Sequence, residues 1–206
     1  KLFTESVGAS YVTGAHSLRA GMSISQARWR LTQQFTGDVQ PVTYNNGAPV
    51  SATLRVPTDR RNSIDADMGL YVQDRWTLSR LSINAGLRFD LFRSSTNPET
   101  LPASTWNAAV AFTDCADGVN SLNQGCTGRV LNTKDLSPRL GVSYDVFGTG
   151  KTAVKFSVAR YVAGVGLAAG SRTDEANPEV AVGLTDTRAW RDLDANGSPF
   201  NAAGQI

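Results

Sequence analysis

Several short stretches combine residue types and spacings that could do chemistry. Gly148–Thr152 reads GTGKT, the tail of a phosphate-binding loop whose backbone amides wrap an anion. The glycine that must open such a loop falls at position 145, where the chain carries Asp145. A carboxylate there repels phosphate, and the following AVKFSVARY alternates as a strand does, so no helix N-terminus receives the anion. A glycine turn is the expectation. GVGLAA at Gly164–Ala169 imitates a dinucleotide fingerprint, yet Asn177 and Pro178 stop any helix soon after it begins, so a loop is expected. The run DLDANG places Asp192, Asp194 and Asn196 at alternate positions, as the opening of a calcium loop does. Its twelfth position is Ala203, where a bidentate Glu belongs; a regulated EF-hand is excluded, leaving a weak calcium site or an Asp/Asn-rich turn. His16 is the only imidazole and falls in a predicted hairpin turn, and no GxSxG occurs, so neither catalysis nor a cofactor is expected. Cys115 and Cys126 are the only cysteines and share one loop, where a disulfide is expected and zinc would lack further ligands.

The elements that hold these stretches are strands. From Leu81 to Phe92, Leu81, Ile83, Ala85, Leu87, Phe89 and Leu91 alternate with Ser82, Asn84, Gly86, Arg88 and Asp90. A period of two puts one face in an apolar medium and the other in water. Upstream, Met68, Leu70 and Val72 oppose Gly69, Tyr71, Gln73 and Arg75, and Thr77–Arg80 is short enough to close a hairpin. Leu140, Val142, Tyr144 and Val146, followed by Val154, Phe156 and Val158, form a second hairpin against Arg139, Gly141, Ser143, Asp145 and Lys155. A third runs from Val7, Ala9 and Tyr11 through Thr13–His16 into Leu18, Ala20, Met22 and Ile24, with Arg19, Gly21 and Ser23 on the other face. A seventh strand is expected around Val180–Trp190, with Val180, Val182 and Leu184 at alternate places.

Connections inside the hairpins are short, whereas residues 33–64 and 93–135 form long stretches rich in Asn, Thr, Pro and Gly. Short turns at one end and long loops at the other are the habit of outer-membrane barrels. Trp76, Tyr144 and Phe147 near the turns, and Phe89, Phe92 and Tyr161 near the loops, suit two interfacial girdles. Asp74 shares parity with Met68, Leu70 and Val72, which places it at the periplasmic rim. A small soluble barrel would instead bury the apolar set and expose the charged one.

Composition narrows the classes. The chain of 206 residues has 16 Arg and 4 Lys against 14 Asp and 4 Glu, a net +2, so the Lys and Glu that favour exposed helices are scarce. The balanced charge gives nucleic acid no basic stripe. No window reaches the roughly 18 apolar residues of a membrane helix, though a barrel strand needs only about 9–11. The opening KLFTESV has neither an initiator Met nor a signal-peptide pattern, and reads as mature or truncated.

With these elements placed, GLYVQDRWTLSRLSINAGLRFD at Gly69–Asp90, DLSPRLGVSYDVFGTGKTAVKFSVARYVAG at Asp135–Gly164, and the later NPEV and TRAWRDLDANG resemble the barrel region of TonB-dependent outer-membrane receptors, of the type that carries a carboxypeptidase-regulatory-like domain. The resemblance implies an all-β, antiparallel up-and-down transmembrane barrel of about 22 strands closed by an internal plug, six or seven of the strands lying in residues 1–206. Plug, TonB-contacting segment and aromatic-ended C-terminal strand are not found in the sequence, so a fragment is expected. The implied function is binding and uptake of a nutrient, a small molecule or oligosaccharide, by an integral protein of a Gram-negative outer membrane. Its implied partners are outer-membrane lipid and, through the plug, the inner-membrane TonB complex. The expected lumen face carries Arg19, Arg75, Arg88, Asp90, Arg139, Asp145 and Lys155, and the loop aromatics Tyr44, Trp106, Phe112 and Trp190 could stack on ligand or merely pack the loops. The rival expectation is a soluble or surface-attached β-rich glycan-binding or adhesion module.

Overall fold

The structure, a computed structural model, describes residues 1–36, 39–121, 125–182 and 184–196, with backbone alone at 39–41. Its strands are β1 (Leu2–Thr13), β2 (His16–Gln33), β3 (Val39–Asn45), β4 (Ala48–Arg55), β5 (Thr58–Leu78), β6 (Leu81–Thr96), β7 (Glu99–Leu101), β8 (Val110–Phe112), β9 (Asp114–Val119), β10 (Thr127–Asp145), β11 (Ala153–Ala159) and β12 (Thr185–Ala189). Two one-turn helices, α1 (Arg172–Glu175) and α2 (Pro178–Ala181), interrupt them. The fold is all-β. The main sheet runs β1-β2-β5-β6-β10-β11, with β9 pairing β10 off this path. The numbers skipped in this order are excursions: the chain leaves after β2 and after β6, and rejoins the sheet at the next position. That is an up-and-down meander, and it contains the three hairpins expected from the alternation.

Local chemistry sets the turns. Thr13 pairs with His16 across Gly14 and Ala15, and Gly14 has φ +52°, a region open to glycine. Between β10 and β11, Asp145 pairs with Ala153, and the intervening loop holds Gly148 and Gly150 at positive φ. The register of both hairpins puts like with like: Val7 faces Met22 and Tyr11 faces Leu18, while Gly8 faces Gly21. Likewise Val142 faces Phe156 and Leu140 faces Val158, while Ser143 faces Lys155.

Two compact units emerge. Unit 1 is Lys1–Arg28, Ser63–Ser95 and Leu131–Leu167; unit 2 is Trp29–Asn62, Thr96–Val130 and Ala168–Ile206. In unit 1, burial is inverted relative to a soluble protein. Val7 is 65% exposed, Phe156 62% and Leu87 42%, and Ile83 and Val142 are only half-buried. Among the described strand residues of this unit, the fully buried ones are Ser63, Gly69, Ser94 and Ser137, all polar or small and all on the hydrophilic parity. No apolar core forms on these strands, which removes the soluble-barrel expectation.

Unit 2 holds the two long connections, and they are largely strand. Residues 33–64, expected as a loop, contain the β3–β4 hairpin and the start of β5. Asn46 and Gly47 turn that hairpin, with φ +49° and +80°, as an Asn-Gly pair does. Residues 93–135 contain the β7–β8 pair, β9 and the first part of β10. The seventh strand is displaced: Pro178 at the first helical position and the Asn177 cap fold Pro178–Ala181 into α2, so only Thr185–Ala189 is extended. Gly183 lies outside the described residues. β12 joins β4 in a separate sheet, where Ala52, Leu54 and Trp190 form a small core with Val42 against it.

Candidate functional site

The hydrophilic face of unit 1 is organised by glycines. A Cβ added at Gly21 would stand 2.6 Å from Cε1 of Tyr71, one at Gly69 would stand 2.7 Å from Cζ of Arg88, and one at Gly86 would stand 3.0 Å from Cγ of Arg139. Each long side chain therefore lies down over a glycine of the neighbouring strand: β5 over β2, β6 over β5, β10 over β6. Flat packing of a large group over a strand glycine also pins the register. Gln73 adds a cross-strand bond, donating through Nε2 to Asn84 Oδ1 at 2.9 Å.

Beside these overlays opens a cavity of about 400 Å³, lined by Asp67, Arg88, Asp90, Phe92, Thr133, Asp135, Ser137, Arg139 and the segment Arg160–Val165. Arg88 Nε donates to Asp90 at 2.7 Å, and Arg160 donates to Asp135 and to the Leu136 carbonyl, both at 2.7 Å. The wall thus carries three carboxylates and three guanidiniums, two pairs of which are already joined. Phe92 and Tyr161, expected in a girdle, line this cavity instead, because Phe92 falls on the even parity of Arg88 and Asp90.

The other expected lumen charges fall in three places. Arg19, opposite Ser10 in the β1–β2 register, is exposed. Arg75 and Lys155 border a shallower recess with Asn84 and Gly141. Asp145 accepts from the Gly148 amide at 3.0 Å and the Gly150 amide at 2.7 Å, so its carboxylate caps its own turn. In GTGKT, a carboxylate thus occupies two of the amides that an anion would seek. His16 is more than a turn residue. Its Nδ1 lies 2.6 Å from Asp74 Oδ2, and its ring stacks on Trp76 at 5.3 Å with an 11° tilt. The acid on the apolar parity is therefore partnered beside two tight turns, where Thr77 also donates its amide to the Ala15 carbonyl at 2.9 Å.

In unit 2 the loop aromatics part company. Trp190 is 1% exposed and meets Tyr44 edge-on at 5.3 Å, and Phe112 is 7% exposed, so these two pack the unit and offer no stacking face. Tyr44 and Trp106 are the exposed members. Cys115 and Cys126 form a disulfide with Cα atoms 5.4 Å apart. In DLDANG, Asn196 donates its amide to Asp192 and its side-chain nitrogen to Asp194, the pattern of an Asp/Asn turn. Among the described residues no group of three potential ligands gathers for a metal, and Gly197 and Ala203 lie outside them.

Sequence reasoning missed the polar core of unit 2. Asp59 of β5 binds Arg30 in two places and Arg61 at 2.6 Å, with Thr32 Oγ1 donating at 3.1 Å. Asp174 of α1 holds Arg60 at 2.8 Å and Asn62 at 3.1 Å. The Asp59 amide donates to Glu179 of α2 at 3.0 Å, and the Arg61 amide donates to Glu99 of β7 at 2.7 Å. Two side chains thus take backbone donors that a neighbouring strand would otherwise accept. Asn177 ties them together, donating to Asn62 at 3.2 Å and to Glu99 at 3.1 Å. Burial pushes Glu99 up to about 7, helped by Glu179 and Asp59, and burial also raises Glu179 above the usual carboxyl range. The signals were TDRRNS and the NPEV string, whose polarity looks like that of any loop.

A family model described as an outer membrane beta barrel domain matches residues 2–204 of the 206. Neither a curated protein nor a solved structure matches the chain.

Proposed function

We propose a function from one premise: the chain belongs to the family of outer membrane beta barrel domains, and is an integral protein of the outer membrane. From there we infer that it is the barrel segment of a TonB-dependent receptor, which binds a small molecule or oligosaccharide and carries it inward. The observation that carries this reading is the inverted burial of unit 1. Its apolar side chains face outward, as lipid requires, and its charges surround a polar cavity on the other face. A wall alternating carboxylate and guanidinium offers donors and acceptors to a polar solute. The strings YVQDRW, INAGLRFD and SPRLGVSYD, which resemble those receptors, lie on the strands that build this wall. The proposed role is transport and not catalysis. Its energy would come from the inner-membrane TonB complex acting through a plug, and outer-membrane lipid would cover the apolar face.

The test is uptake by cells that express the intact protein, supplied with labelled oligosaccharides and chelates, with and without TonB. Accumulation that vanishes on TonB depletion supports the reading. Surface binding that is unchanged by TonB depletion, with no accumulation, would make the protein an adhesin.

A further inference from the structure

The polar core of unit 2 contains two carboxylates in contact with no guanidinium, Glu99 and Glu179, and Glu99 is the more isolated of them. Arg30, Arg60 and Arg61 supply three positive charges to the cluster, whereas Asp59, Asp174, Glu99 and Glu179 supply four carboxylates. Asp59 and Asp174 hold the guanidiniums directly. Glu179 feels Arg60 and Arg61 through space. Glu99, 4% exposed, has only the Arg61 amide and the Asn177 side chain, both on Oε2, and its Oε1 is buried with no partner. An unpartnered buried hydroxyl costs far less than an unpartnered buried charge. Charge count and geometry therefore agree on where a proton belongs.

We propose that Glu99 is a proton-operated latch, which when protonated holds the β7 segment and the α1–α2 corner on strand β5. Through Oε2 it joins three pieces distant in sequence: the Arg61 backbone on β5, its own strand β7, and Asn177 before α2. Asn62, which Asn177 also holds, extends the junction to Asp174 of α1. The charges that act on Glu99 are Asp59 of β5 and Glu179 of α2; around them stand Arg60 and Arg61 of β5, Arg30 of β2 on Asp59, and Asp174 of α1 on Arg60. β8, paired with β7, brings only Val110–Phe112 and no charge. Losing the proton leaves two buried carboxylates, Glu99 and Glu179, repelling across the junction. The sign follows from linkage. The docked Glu99 titrates at about 7 and a released one at its ordinary 4.5, so docking is strongest below about 4.5 and weakens as pH rises through about 7. This inference does not depend on what the barrel transports.

Hydrogen exchange on the intact protein, folded in detergent micelles, tests it. After correction for intrinsic exchange, peptides covering 58–63, 96–101 and 172–182 should open about tenfold more readily at about pH 8.5 than at about pH 6. Strand peptides from 81–91 should show no such change and serve as the internal reference. Glu99→Gln keeps the Oε2 acceptor position and removes the titration, so it should flatten the profile near its low-pH level. A wild-type profile with no slope overturns the latch without any variant. A slope that persists in Glu99→Gln overturns the assignment to Glu99.

Discussion

Replacing Gly21 by Ala would place a methyl group 2.6–2.7 Å from Cε1, Cζ and Oη of Tyr71, where ordinary carbon contacts begin near 3.4 Å. The ring must retreat by most of an ångström, and it is rigid. Overpacking of this kind costs about 1–3 kcal/mol, and the lower chain entropy of Ala returns about 0.5–1 kcal/mol. A net loss of about 1–2 kcal/mol is expected. Gly141→Ala is the control: its nearest neighbours, Cβ and the carbonyl oxygen of Asn84, both lie at 3.9 Å, so that substitution should be neutral or gain up to about 0.5–1 kcal/mol. Urea titration of the protein folded in micelles, followed by tryptophan fluorescence, measures both. A double-mutant cycle sharpens the test, because Gly21→Ala in a Tyr71→Ala background removes the clash and should cost at least about 1 kcal/mol less than it does alone. Equal effects of Gly21→Ala and Gly141→Ala, or strict additivity in the cycle, would refute the overlay.

Three further outcomes follow from other parts of the structure. Ile83→Arg puts a charge on the apolar face and should lose about 2–4 kcal/mol of folding in bilayers, whereas Asn84→Arg on the hydrophilic face should lose under about 1 kcal/mol; equal losses, measured by heat-resistant gel mobility, would contradict the face assignment. His16→Ala strips Asp74 of its partner and should cost about 1 kcal/mol at this half-exposed rim, and Asp74→Asn should recover most of that loss in the same urea assay. Cys115→Ser with Cys126→Ser should weaken the 114–127 region by about 2–3 kcal/mol, seen as faster proteolysis there while the 81–91 region stays protected.

The strands of unit 1 were legible because nothing competes with their pattern: an unbroken alternation such as Leu81–Leu91 states both the secondary structure and the two faces. The hairpin partners followed from short turns. Asn46–Gly47 carried an equally clear hairpin signal, overlooked because the surrounding Thr, Pro and Asn made residues 33–64 look like one loop. The polar core of unit 2 was not legible. Its stability comes from pairing charges brought together from β2, β5, β7, α1 and α2, and a single sequence does not reveal which Arg meets which Asp. Trp190 and Phe112 illustrate the same limit, since an aromatic residue in a polar segment has the same signature whether it waits for a solute or fills a small core. The sequence marks Asp145 as the residue that breaks the phosphate-loop pattern, but its turn-capping role depends on the curl of Gly148 and Gly150, visible only in three dimensions.

The recumbent arginines of the hydrophilic face have a consequence for what that face presents. Arg88 and Arg139 bring guanidiniums to this face while lying flat, because the glycines beneath them leave room for their thickness. Under the transport role proposed above, a polar solute on this face would exchange one guanidinium or carboxylate contact for the next along side chains that lie flat.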